Sequence, residues 1–217
     1  MKFIELLIFD LDGTLINTLE DISESVNFML ARLGRQPIDA DSVRRYVGDG
    51  VNLLMERSLG GRSERISEAV AIYRDHHRRN LTVHATLYPS VKETLEYFKG
   101  IPKAVITNNR MEFCRPLLEH LGIVEQFKKL IAADDGLPLK PAPDAILNIM
   151  SECAATKDGT AIVGDGVTDI QAGKAAGITT CAVTYGFRSE QELKKAAPDY
   201  VIRDFSELQK LFMQKDV

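Results

Sequence analysis

The 217-residue chain has three cysteines, Cys114, Cys153 and Cys181, and no CxxC pair. An odd, widely spaced set excludes a disulfide framework and suits a reducing compartment, so a cytoplasmic protein is expected. No apolar run approaches the ~20 residues that a membrane span needs. The opening MKFIELLIFDLDGT is apolar for only a few residues before aspartates interrupt it. It reads as a strand, not as a signal peptide. Basic residues are not in excess: the net charge is −4, with both signs mixed along the chain. Nucleic acid calls for a concentrated basic face, so no such partner is expected. A small phosphate ester is different, because a metal and one or two cations hold it well inside an acidic protein. Internal repeats and low-complexity segments are absent too.

What is present has a globular composition, 45% apolar and 27% charged. Short β-type runs end in small or polar residues: FIELLIF before Asp10, KAVIT before Asn108, TAIVG before Asp165, and TTCAV from Thr179. Runs of this kind suit buried parallel strands. Amphipathic segments lie between them: VKETLEYFKG, EFCRPLLEHLG and PDAILNIMSEC. Strands alternating with helices predict an α/β protein with a doubly wound parallel, Rossmann-like sheet. Residues 16–83 break the pattern with LEDISESVNFMLARLG, VRRYVGDGVNLLMERSLG and SERISEAVAIYRDHHRRN. Each has helical spacing and a glycine or asparagine stop. We expect a helical cap at 16–83 inserted into a core made of 1–15 and 84–217. Linkers near Thr14–Asn17 and Leu81–Tyr88 would let it move.

Ligands of open α/β sheets bind beyond the carboxyl ends of the strands. Three such ends carry Asp10 and Asp12, Thr107 and Asn108, and Asp165 with Asp169. Residues two apart on an extended segment face one side, so Asp10 and Asp12 share a pocket. Asp169 follows Asp165 by one helical turn. Bare carboxylates this close repel, and a divalent cation relieves that. Oxygen ligands suit Mg2+, which makes Asp10, Asp12, Asp165 and Asp169 the candidate ligands. Thr107, Asn108 and Lys140, the last in PLKPAPD, offer donors for an anion. Gly13 permits a close backbone approach.

An acidic pair at a strand end is, by itself, an ordinary solvated turn. DLDGT, ITNN, LKPAPD and VGDGVTDIQAGKAAG in this order and spacing are more specific. Together they resemble the haloacid dehalogenase superfamily over nearly the whole chain. VRRYVGDGVNLLMERSLG and the later VTYGF, PDYVI and FSEL resemble its phosphoglycolate phosphatase branch. The resemblance implies Mg2+-dependent hydrolysis of a small phosphate monoester, with Asp10 as nucleophile and Asp12 as proton donor and acceptor. It implies Mg2+ on the Asp10 side chain, the Asp12 carbonyl and Asp165, with Asp169 binding through water or orienting the site. Thr107, the Asn108 N–H and Lys140 would meet the phosphoryl group. Many relatives carry aspartate where this chain has Asn17, which makes Asn17 a candidate for a shifted substrate. Arg45 and the Gly48–Gly50 turn are candidates for substrate selection, Arg45 as partner for a second anionic group.

His76 and His77 read as a solvated helix face, Cys114 as a small core residue, and Asp49 as turn chemistry. Four rivals stay open at this point: a sugar phosphomutase, an inorganic pyrophosphatase, a phospho-accepting signalling domain and a non-catalytic binding module. A monomer and a homodimer are equally compatible with the sequence.

Overall fold

The structure, a computed structural model, describes residues 1–213. The first apolar run forms two strands where one was expected, β1 (Lys2–Phe3) and β2 (Leu6–Phe9). The break has a simple cause. The Ile4 N–H donates to Met213 O and the Glu5 N–H to Gly159 O, so the chain changes sheets between them. Next come β3 (Ile16–Asn17), α1 (Leu19–Arg32), α2 (Ala40–Tyr46), α3 (Val51–Ser58), α4 (Ile66–Asn80) and β4 (Thr86–Leu87). The remainder alternates: α5 (Val91–Tyr97), β5 (Lys103–Ile106), α6 (Met111–His120), β6 (Lys129–Ile131), α7 (Asp144–Cys153), β7 (Thr160–Gly164), α8 (Val167–Ala176), β8 (Thr179–Val183), α9 (Glu190–Lys195), β9 (Tyr200–Ile202), α10 (Leu208–Leu211) and β10 (Phe212–Met213).

Among the described residues, six strands form one parallel sheet in the order β6-β5-β2-β7-β8-β9. This is the expected doubly wound arrangement. Both edge strands, β6 and β9, escaped the sequence reading because each spans only three residues. The strand period of two sorts the core into two layers. Leu6, Ile8, Ala104, Ile106 and Ile162 face α7 and α8 through Ile146, Ile149 and Ala172. Leu7, Phe9, Val105 and Val163 face the opposite layer with Val91, Leu95, Phe113 and Phe205. Complete burial of each such side chain is worth about 2 kcal/mol, which holds the central strand ends in fixed positions.

Helices α1 to α4 lie between the crossing strands β3 and β4, which pair antiparallel through Ile16–Leu87 and Asn17–Thr86. Ile22, Val26, Met29 and Leu30 give α1 a buried stripe at helical spacing. Asp39 caps α2 by accepting the Ser42 N–H at 2.6 Å. The segment VRRYVGDGVNLLMERSLG is two helices, because Gly48 and Gly50 take φ of 115° and 91° and turn the chain between them. In that turn Asp49 pairs with Arg57 at 2.6 Å. Cys114 is buried in the core. His77 is not on a solvated face: it is 1% exposed. The inner face of α4 packs it on Tyr73 and edge-on against Phe113, with Ser25 Oγ 3.1 Å from Nδ1. His76 stacks on Phe28 and is half-buried. No helix of the described residues is long and apolar enough to cross a membrane.

Candidate active site

Strand β2 delivers Asp10 at its carboxyl end, and a tight turn follows. The Thr14, Leu15 and Ile16 N–H groups all donate to Leu11 O. Gly13 has φ of 88°, and a Cβ there would lie 2.4 Å from Asp165 Oδ2. The glycine is therefore needed for a carboxylate of the protein itself. Asp165, just beyond β7, is held from three directions. Thr14 Oγ1 donates to its Oδ1 at 2.8 Å, its own N–H donates to Thr14 Oγ1, and the Phe187 N–H donates to Oδ2 at 2.7 Å.

Carboxylate oxygens of Asp10, Asp165 and Asp169 lie within 4.8 Å of one another. Lys140 reaches into this cluster from the loop before α7. Its Nζ donates to Asp10 Oδ1, Asp169 Oδ1 and Ile106 O, each at 2.7 Å. Asp169 also accepts the Gly166 N–H, at the start of α8, where the helix dipole favours negative charge. Burial works against the Lys140 ammonium, yet Asp10 and Asp169 carry its pKa above the usual lysine range. Burial lifts Asp165 and Asp169 above the usual carboxylate range, and the charge of Asp10 adds to it. Three carboxylates against one ammonium leave excess negative charge in a buried site. An all-oxygen donor set with that charge fits a hard divalent cation.

The Asp12 carboxylate is not part of this cluster. It turns to Thr18 Oγ1 at 2.7 Å and to Asn109 Nδ2 at 3.0 Å. Burial, with a smaller contribution from the charge of Asp10, pushes it up to about 6. Thr107 Oγ1 accepts the Asn109 N–H at 3.0 Å. The Asn108 side chain accepts the Lys140 N–H at 2.9 Å and donates to Lys140 O and Gly48 O, both at 3.0 Å. Asn108 thus fixes the lysine loop and touches the helical segment as well.

Between Asp10 and that segment lies a cavity of about 50 Å3, lined by Asp12, Thr107, Asn108 and Asn109 below and by Ile22, Gly48, Val51 and Tyr73 above. Arg45 is not brought to it. Its guanidinium is exposed and folds back onto Ser42 Oγ at 2.8 Å, on the same short helix. Asn17 lies on an outer cleft beside Tyr88 and Tyr185, where its side chain meets the Leu19 N–H. Besides Arg57, a cation that does meet the Gly48 turn is Arg188, which follows β8. It donates to Arg44 O at 2.9 Å and to Val47 O, at the carboxyl end of α2. Arg188 directly follows the quoted VTYGF, but nothing in that stretch marks it as reaching the turn. Thr14, the last residue of DLDGT, Asn109, the last of ITNN, and Thr18, four residues beyond DLDGT, were also missed.

Acids gathered with a lysine at the carboxyl edge of a parallel sheet, under a helical insertion, fit a divalent cation and phosphoryl-transfer chemistry. The model of the haloacid dehalogenase-like hydrolases matches residues 7–183, and the chain belongs to that family. A phosphoglycolate phosphatase of Pseudomonas putida is 35% identical over 94% of this chain and 78% of its own length. The phosphoglycolate phosphatase of Colwellia psychrerythraea is 33% identical over 94% and 95%. A crystal structure described as a predicted phosphoglycolate phosphatase from Haemophilus somnus superposes with a TM-score of 0.92. It is 28% identical, over 97% of this chain and 99% of that one.

Proposed function

We propose that the protein is a Mg2+-dependent phosphatase that hydrolyses phosphoglycolate through a phosphoaspartate on Asp10. One observation carries this reading: Lys140 ties Asp10 to Asp169, with Asp165 within 4.8 Å of both. Asp10, Asp165, Asp169 and the Asp12 carbonyl would hold the cation, which when bound offsets charge on the transferring phosphoryl group. A free Asp10 oxygen attacks phosphorus as the ester P–O bond breaks. The Asp12 carboxyl gives its proton to the leaving oxygen. It then takes a proton from the water that attacks the phosphoaspartate, which frees phosphate and restores Asp10. A pKa near 6 supports this double duty, because both forms of Asp12 are accessible close to neutrality. Thr107 and the Asn108 N–H take the phosphoryl oxygens, and Lys140 aligns the nucleophile.

Residues 16–83 serve as the cap, hinged where β3 and β4 cross. Three free cysteines support a cytoplasmic setting. The test is phosphate release from phosphoglycolate, β-glucose 1-phosphate and pyrophosphate, with and without Mg2+. We expect phosphoglycolate to turn over fastest, and only with the metal. Isomerised glucose phosphate, faster pyrophosphate cleavage, or a stable phosphoprotein without turnover would each select one of the rivals.

A further inference from the structure

The upper wall of the cavity contains a polar group that the reaction above does not use. Tyr73, on α4, is 4% exposed and lines the cavity opposite Asp10 and Asp12. His77 stacks on its ring with centroids 5.1 Å apart, which fixes the orientation of the phenol. Among the described residues no protein group hydrogen-bonds the Tyr73 hydroxyl, whereas the buried hydroxyls of Thr14, Thr18, Ser25 and Ser58 all have partners. Buried polar groups are as a rule satisfied, and an unpaired one is destabilising. The Tyr73 hydroxyl is therefore free to donate to a ligand in the cavity.

Next to it on the same wall, α3 begins. Its N-cap is Gly50, which has no side chain to cap the helix. The first N–H groups of a helix have no partner within it, and that end favours an anion. Gly50 and Val51 line the cavity with Tyr73. The rest of that wall, Ile22, Val47 and Leu54, is apolar, and among the described residues no lysine or arginine lines it.

We propose that Tyr73, together with the N–H groups that open α3, forms the subsite that reads a carboxylate on the leaving group, so that Tyr73 is a specificity-determining residue. This rests on the reading of the protein as a hydrolase of a small phosphorylated acid. The phenol donates to one carboxylate oxygen and the α3 amides donate to the other. Burial and the negative charge of Asp12 keep the phenol protonated and therefore a donor. A neutral alkyl leaving group of the same size satisfies none of these groups.

The test compares kcat/KM for phosphoglycolate with that for ethyl phosphate, in the wild type and in Tyr73→Phe. A hydrogen bond to a charged group corresponds to about tenfold or more, so the phosphoglycolate-to-ethyl-phosphate ratio should fall by at least about tenfold. The Tm of the ligand-free variant should hold or rise, because the deleted hydroxyl has no partner there; a structural hydroxyl would lower it. A wild type that prefers phosphoglycolate and a Tyr73→Phe variant that keeps the full preference would overturn the subsite. A wild type with no preference for phosphoglycolate overturns the substrate reading itself, and that is visible before any variant is made.

Discussion

The floor and the roof of the cavity are made of opposite materials. The floor, at the strand ends of the core, is Asp10, Asp12, Thr107, Asn108 and Asn109, with Lys140, Asp165 and Asp169 clustered behind Asp10. The roof is Ile22, Val47, Val51 and Leu54, with Tyr73 as its lone phenol. Charges on the floor are held by hydrogen bonds from Thr14, Thr18, Asn109 and Phe187. Side chains on the roof are held by packing between α1 and α4. The contrast separates bond making from substrate choice. On the function proposed above, rigid, prealigned charge would perform the first, and a mostly dry surface with few polar contacts the second.

The comparison can be broken most severely on the floor. Asp10→Asn should lower kcat by at least about ten-thousand-fold, as removal of a nucleophile does, with the fold intact by circular dichroism. Retention of a tenth of the activity would remove Asp10 from that role. The next largest effect is a stability change within the roof. Burial holds His77 down at about 4, well below the usual histidine value. Between about pH 6.5 and 4 the unfolded chain binds this proton and the folded chain does not, so stability falls as the pH is lowered through that window. The span of some 2.5 pH units corresponds to about 3 kcal/mol. Urea unfolding of wild type and His77→Gln should show the stability gap between them narrowing by that amount from pH 7 to pH 4, and parallel curves would refute it. The smallest effect concerns the junction of floor and roof. Arg188→Ala removes the two hydrogen bonds to Arg44 O and Val47 O. Each is worth about 1 kcal/mol on a half-exposed side chain. We expect a several-fold rise in KM with a smaller change in kcat, measured by phosphate release, and identical kinetics would deny the clasp any role.

Legibility in the sequence follows the same divide. Aspartates that end apolar strands conflict with burial, and Asp10 and Asp165 were readable as a cluster for that reason; Asp169 was placed beside them by helical spacing. Their supports were not, because a threonine such as Thr14 is unremarkable until its hydroxyl meets Asp165, 151 residues away. Periodicity located helices within residues 16–83 but not which faces meet the cavity. It left His77 looking solvated and gave Tyr73 no mark at all. Arg45 and Arg188 show the limit most clearly. A cation next to the Gly48 turn in sequence points away from it, and a cation 140 residues later points into it. Short edge strands such as β6 and β9 carry too few residues for alternation to register.

The account depends on three carboxylates from two strand ends acting as one cation site. Calorimetric titration of Mg2+ into the wild type and into Asp165→Asn measures this without any turnover. We expect one equivalent of Mg2+ to bind the wild type and affinity to fall at least about tenfold in the variant, on the scale set by loss of a charged ligand. Equal affinity in the two proteins would contradict the account.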